Sequence, residues 1–327
     1  MLRVGVIGVG VMGAGHARFI NQHVDGAEIV ALFDIDSVRA NELATELKTV
    51  KLITNEAEEV FKADFVDAVI IASPDDFHVA HQELAIKYKK PTLCEKPIAT
   101  NIDDALAISK KIAAAEAGST VKLISYGFMR RFDPGYMKVR ERINSGEYGK
   151  PLFVRAVVRN VASTGITTSG LFSNIAIHDF DIYSWLFNSE WESIDSFYPV
   201  QTVNTPSITR DPLIFIAKLK NGIILMEDIV ANNSYGYDTR VEVVCEKGNI
   251  EIGIHGDVAE RRDFNFAQTA GGAMDQNWMK KFEQAYIDEL RAWVTQIVTN
   301  VNNPDLASHE DAVKAQKASV LAINSAK

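Results

Sequence analysis

The sequence predicts an α/β protein. A doubly wound parallel sheet of the Rossmann type occupies residues 1–125, followed over 126–327 by an α+β domain with a large, mainly antiparallel open sheet. Three observations carry this reading. The glycine loop Gly8-Val9-Gly10-Val11-Met12-Gly13 lies between a short apolar run and a helical pattern. Strand-like and helix-like segments then alternate as far as Phe128. Beyond it come long alternating runs broken by hairpin signals, Asn221-Gly222 the strongest of them.

The elements follow in order. Leu2 to Ile7 reads as a buried strand and Ala14 to Gln22 as the helix after it. Gly8 permits the tight turn, Gly10 lets backbone approach a pyrophosphate, and Gly13 lets helix and strand pack closely. Val11 and Met12 then lie at the helix N-terminus, where the phosphates sit. The second strand, Glu28 to Phe33, ends in Asp34, about 20 residues beyond the loop, where an acid accepts from both ribose hydroxyls. That charge favours NAD. NADP ranks second, because Arg39 offers a 2'-phosphate a partner. Asp34 and Asp36 have an alternative reading, as caps of the helix beginning near Ser37.

Further strands are predicted at Lys51 to Thr54, Val66 to Ser73, Pro91 to Glu95 and Val121 to Phe128. The helices between them are Ser37 to Leu47, Val79 to Lys89 and Ile102 to Ala115. After these comes a helix from Pro134 to Asn144, capped at Gly146. Strands are expected at Leu213 to Lys220, Ile223 to Ala231, Thr239 to Cys245 and Asn249 to Ile254, and helices at Ile175 to Phe187, Trp278 to Val301 and from Ser308 onward. The charges Asp311, Lys314 and Lys317 mark that last helix as having a solvated face.

Composition narrows the function classes. A length of 327 residues favours two domains. With 34 basic and 43 acidic side chains the net charge is -9, and no basic stripe marks a nucleic-acid footprint. The two cysteines, Cys94 and Cys245, make no disulfide framework or metal pattern, as expected of a reducing compartment. No apolar run approaches the roughly 20 residues of a membrane helix, and a strand starting at Leu2 leaves no room for a signal peptide, so a cytoplasmic protein is expected. No His/Cys/Asp spacing supports a metal site.

In an open parallel sheet, ligands lie beyond the carboxyl ends of the strands. Three segments fall there: Ser73 to His78, Glu95-Lys96-Pro97, and Phe128 to Arg131. A lysine at such an edge can hold a substrate hydroxyl and stabilise the alkoxide that develops as hydride leaves. On spacing alone Lys96 is as readily a solvated strand-end lysine before a turn proline. On a helix Asn174, His178 and Asp181, spaced by four and three, share one face. A sugar site combines fixed polar groups with aromatic surface, which Arg130, Asn160, Asp181, Tyr235 and Tyr237 supply. Arg130 reads equally as a salt-bridge residue and Tyr237 as core. His16 and His81, on helices, read as surface or cap residues.

These residues together resemble the Gfo/Idh/MocA oxidoreductases, the group of glucose-fructose oxidoreductase, inositol dehydrogenase and rhizopine catabolism. The marks are the glycine loop, Glu95-Lys96-Pro97 and His178-Asp179-Phe180-Asp181. The stretches from Gly127 to Asp133 and from Tyr235 to Asp238 are most similar to inositol 2-dehydrogenases. The resemblance implies NAD-dependent oxidation of a ring hydroxyl of a small polyol or sugar, with Lys96 anchoring the substrate and His178 taking the hydroxyl proton. It implies cofactor contacts at Ser73, His78, Glu95 and Lys96. Substrate contacts are implied at Lys96, Met129, Arg130, Asn160, Asn174, His178, Asp181 and Tyr235. Two departures stand out: Asn174 replaces an aspartate that partners the histidine in inositol dehydrogenases, and Val158 stands where they often carry histidine. Other outcomes within this resemblance are an aldose 1-dehydrogenase or a ketosugar reductase; outside catalysis, an NAD-binding sensor or partner subunit. A homo-oligomer, dimer or tetramer, is expected.

Overall fold

The computed structural model describes residues 1–161, 165–201, 205, 207–253, 275 and 277–327. The chain forms two compact units, Met1–Phe132 with Gln284–Gln316, and Asp133–Glu283 with Lys317–Lys327.

In the first unit the strands are β1 (Leu2–Ile7), β2 (Ala27–Phe33), β3 (Leu52–Thr54), β4 (Ala68–Ile71), β5 (Thr92–Glu95) and β6 (Ile124–Gly127). They form one sheet in the order β3-β2-β1-β4-β5-β6, and every pairing is parallel. Order reverses beside β1, the switch point at which such sheets bind ligands. The connecting helices are α1 (Val11–His23), α2 (Ser37–Leu47), α3 (Ala57–Lys62), α4 (His78–Tyr88) and α5 (Ile102–Ala115). Residues of β1, β2 and β4 are buried almost throughout, as helices on both faces demand.

The second unit contains α6 (Pro134–Ser145), β7 (Pro151–Val161), a single turn α7 (Thr168–Gly170), α8 (Ile177–Phe187), β8 (Trp191–Phe197), β9 (Leu213–Leu219), β10 (Ile224–Asn233), β11 (Asp238–Cys245), β12 (Gly248–Ile252) and α9 (Trp278–Lys281). Its sheet runs β12-β11-β7-β10-β9-β8, antiparallel except for the parallel pair β7/β10. Asn221-Gly222 makes the β9/β10 turn, with Gly222 at φ 93°. Gly146 ends α6 in the left-handed region at φ 71°. Ile254, the expected end of β12, lies outside the described residues.

Two helices complete the chain, α10 (Glu283–Thr299) and α11 (His309–Ser325). A single boundary near residue 125 would leave both in the second domain. Instead, Leu290, Trp293 and Val294 of α10 and Leu306 beyond it join the core of Leu2, Val4, Ile29 and Leu93 in the first unit. The period of an amphipathic helix tells which face is apolar; it does not tell which sheet that face will cover. A second difference concerns Asp311. Its side chain is partly buried and pairs with buried Arg131 at 3.2 Å, where a solvated charge was expected.

Candidate functional site

The glycine loop closes the turn from β1 into α1. Gly8 has φ +85°, and a Cβ there would lie 2.7 Å from the Ser73 backbone; one on Gly13 would lie 1.8 Å from the Gly8 carbonyl oxygen. Only glycine fits either place. Gly10 is the N-cap of α1 and brings no side-chain cap, so the first-turn amides of Val11 and Met12 face outward for an anion.

Asp34 and Asp36 separate cleanly. Asp36 caps α2, accepting from the amides of Val38 (3.1 Å) and Arg39 (3.2 Å). The buried Asp34 carboxylate instead accepts from the Val9 amide at 2.8 Å and from the Asp36 amide at 2.8 Å. Each oxygen keeps lone-pair capacity for a hydroxyl. Arg39 lies 3.1 Å from Asp36 and 3.8 Å from Asp34, its charge shared between two carboxylates. That environment disfavours a 2'-phosphate.

Ser73, at the carboxyl end of β4, shares a 2.9 Å hydrogen bond with His81 Nδ1. Phe77 stacks on that imidazole and Phe33 meets its edge. Burial, followed by the charge of His78, pushes the His81 pKa down to about 4. His81 is therefore a buried neutral ring, and so the expectation of a surface or cap residue is corrected. The same correction applies to His16, 1% exposed, whose Nε2 sits 2.7 Å from Glu95 Oε1.

Lys96 is half-buried immediately beyond β5, and the peptide it makes with Pro97 is cis. Its neighbours are fastened from two helices. Glu95 is tied to His16 of α1. The Pro97 carbonyl accepts from His78 Nδ1 at 2.7 Å, and the Ile98 carbonyl from Gln82 Nε2 at 2.8 Å, both from α4. Burial by itself would raise the Glu95 carboxyl. The His16 hydrogen bond and the positive charges of His16, Lys96 and His78 outweigh it and hold the group below the usual carboxylate range.

His78 also reaches the Ser73 carbonyl at 2.9 Å through Nε2. With both ring nitrogens on backbone carbonyls and 1% exposure, the ring presents no polar atom to a cofactor, and its observed work is to bridge the ends of β4 and β5. Gln82, a residue the sequence reading passed over, is fully buried and is held in turn by the Tyr126 hydroxyl. His16 was read as a surface or cap residue, and the signal against that reading is its helical spacing with Gly13, Ala17 and Ile20, the buried face of α1.

Past β6, Met129 and Arg130 lie on a 3-10 segment, Met129–Phe132, and both are buried. In the second unit, Asn160 at the end of β7 and Tyr235 after β10 are joined by Asn233. The Asn233 side chain donates to the Asn160 carbonyl at 2.5 Å and accepts from the Tyr235 amide at 2.9 Å. The Tyr235 hydroxyl donates to Asp238 at 3.1 Å. Burial, then the Asp238 charge, pushes that phenol up. Tyr237 is core, edge-on to Phe282, and Val158 is buried as well.

The expected Asn174-His178-Asp181 face is interrupted. Asn174 falls in a π-helical turn, Leu171–Ala176, ahead of α8, so regular α spacing does not run through it. Asn174 is exposed, His178 half-buried and Asp181 buried. Hydrophobic periodicity carries no sign of such a turn.

Residues 2–123 match the oxidoreductase family with an NAD-binding Rossmann fold, and residues 136–251 match the GFO/IDH/MocA C-terminal domain. This chain belongs to the Gfo/Idh/MocA family. Among Gfo/Idh/MocA relatives it is similar to inositol 2-dehydrogenase 4 of Saccharopolyspora erythraea, 33% identical over 89% of this chain and 84% of that one. It is also similar to the inositol 2-dehydrogenase/D-chiro-inositol 3-dehydrogenase of Shouchella clausii, 34% identical over 90% of this chain and 83% of that one. Among solved structures, myo-inositol dehydrogenase from Lactobacillus casei, in complex with NAD(H) and myo-inositol, superimposes with a TM-score of 0.89 at 27% identity. The match covers 99% of this chain and 94% of that one. The glycine cradle, the open N-terminus of α1 and the Asp34 carboxylate are what an NAD-binding Gfo/Idh/MocA domain requires.

Proposed function

We propose that this chain oxidises a ring hydroxyl of a cyclic polyol of the inositol type to the ketone. NAD, when bound, supplies the hydride acceptor. Lys96 donates a charge-assisted hydrogen bond to the hydroxyl oxygen and stabilises the negative charge that grows on it. His178 takes the hydroxyl proton, with Asp181 and Asn174 as its neighbours in sequence on α8 and the preceding turn. Asn160, Tyr235, Met129 and Arg130 complete the proposed substrate set, and Ser73 and Glu95 belong to the cofactor side with Lys96.

The observation that carries this reading is the placement of Lys96. It stands at the carboxyl edge of the same sheet as the glycine cradle, on a segment fastened on both sides by buried hydrogen bonds. The inositol dehydrogenases among the relatives support the substrate class. NADH formation against myo-, scyllo- and chiro-inositol and a set of aldoses tests it. Turnover of a cyclic polyol is expected; turnover of aldoses alone moves the reading to an aldose 1-dehydrogenase, and turnover of none of them defeats it.

We also propose a homo-oligomer, dimer or tetramer, built through the second sheet. Strand β9 is apolar on both faces, with Leu213, Phe215 and Ala217 buried and Ile214 and Ile216 exposed, a pattern that suits a second covered face. Both cysteines are free and buried, which fits a cytoplasmic protein. Among the described residues no helix is long and apolar enough to cross a membrane.

A further inference from the structure

We infer that His16, His78 and Gln82 are positioning residues for Lys96, forming a clamp from two helices that fixes the backbone on both sides of it. The inference rests on the dehydrogenase reading for the role of Lys96; the clamp itself is geometry within the first unit. A lysine just past a strand end has a long stem with four rotatable bonds, and a misplacement of about 1 Å costs a reacting group on the order of a hundredfold in rate. Rigidity has to come from the main chain that carries it.

Three successive anchors supply that rigidity. The residue before Lys96 is held by its carboxylate to His16 at 2.7 Å. The residue after it is held by its carbonyl to His78 at 2.7 Å, and the next by its carbonyl to Gln82 at 2.8 Å. The anchors are themselves anchored. His78 is fixed on its other side by the Ser73 carbonyl, and Gln82 by the Tyr126 hydroxyl. Gly127 pairs with Glu95 across β5 and β6, and a Cβ there would press on the Glu95 carboxylate at 3.1 Å, so the strand leaves space for this one side chain.

His16, His78 and Gln82 are each at most 1% exposed, and removing any one of them leaves a buried carbonyl or carboxylate without its donor, so the same bonds also carry stability. Polar groups here fix orientation. The choice of helices adds a second consequence, because α1 begins at the glycine loop and α4 follows the Ser73 turn. The two elements that seat the dinucleotide therefore also set the position of Lys96, so both halves of the site share one frame.

The test compares Gln82→Met and His78→Leu with the rescue variant His78→Gln, which restores an amide donor. For each, NAD affinity, kcat and KM for the polyol are measured, together with the rate at which Lys96 is acylated relative to surface lysines, read by mass spectrometry without substrate. The clamp requires NAD affinity within about threefold of the parent, kcat down by about a hundredfold with a much smaller change in KM, an altered Lys96 acylation rate, and partial recovery in His78→Gln. It is overturned if kcat and the acylation rate stay within about threefold of the parent, or if NAD affinity falls in step with kcat. If His78→Leu does not fold, Gln82→Met and His78→Gln decide by the same measures. If the parent turns over no polyol, the dehydrogenase reading fails while the acylation rates still judge the clamp.

Discussion

The Asp34 carboxylate accepts a hydrogen bond from the Val9 amide at 2.8 Å, so the residue that ends β2 also holds the glycine loop in place. A role usually assigned to ribose recognition is thus joined to loop geometry. Asp34→Ala removes both. Affinity for NAD should fall by about ten- to a hundredfold, roughly 1.4–3 kcal/mol. NADP should lose much less, because a negative charge leaves the 2' position and Arg39 gains freedom. Fluorescence titration of both cofactors measures the ratio; an unchanged NAD to NADP preference would refute this account of Asp34.

His81 gives a pH prediction with a definite sign. Its ring is buried and its pKa lies at about 4 in the folded chain. An unfolded imidazole takes up its proton near pH 6.5. Between those values the unfolded chain binds the extra proton, so stability falls as pH drops through the window from about 6.5 to about 4. His81→Gln, which can still bond Ser73, should flatten that part of the stability curve. Chemical denaturation at a series of pH values would show it, and a curve of unchanged slope would count against a neutral buried ring.

Trp293 of α10 is 1% exposed in the core of the first unit. Trp293→Ala should cost about 3–5 kcal/mol. If α10 served only the second unit, NAD affinity would survive at temperatures where the second unit has melted. The expected result is the reverse: the thermal midpoint of NAD-dependent stabilisation drops together with the overall midpoint.

Asn174 brings no charge to the turn before α8, where the resemblance to inositol dehydrogenases implies an aspartate. Asn174→Asp should raise kcat/KM for inositols by about tenfold, the effect of a carboxylate on the basicity of a neighbouring imidazole. The gain should be largest at high pH, where the imidazole is neutral in both enzymes, and should shrink as pH falls, because a more basic ring is protonated sooner. A loss of activity would mean that the asparagine is matched to a different substrate.

The parallel sheet was largely readable from the chain, for local reasons. β1, α2 and α5 have the bounds that their periodicity and flanking caps predict. The six residues of α3 are too few to show a helical period, and it went unseen. Residue types at the sheet edge, Gly8, Asp34, Ser73 and Lys96, were legible because the topology places strand ends together. The partners of Lys96 were less so. His16 lies 79 residues from Glu95 in the chain, and nothing in the spacing of either announces the other. The capture of Leu290, Trp293 and Leu306 by the first core is of the same non-local kind.

That capture has a consequence for synthesis. The core around β1 and β2 includes Trp293 and Leu306, so a chain emerging from the ribosome carries it open until about residue 316 has been made. Strands β1 and β2, made long before α10, are among the last elements to finish folding. During that interval the apolar surface left for α10 is what a chaperone would find, and folding of the dinucleotide-binding unit must wait until Asp133–Glu283 of the second unit has been made.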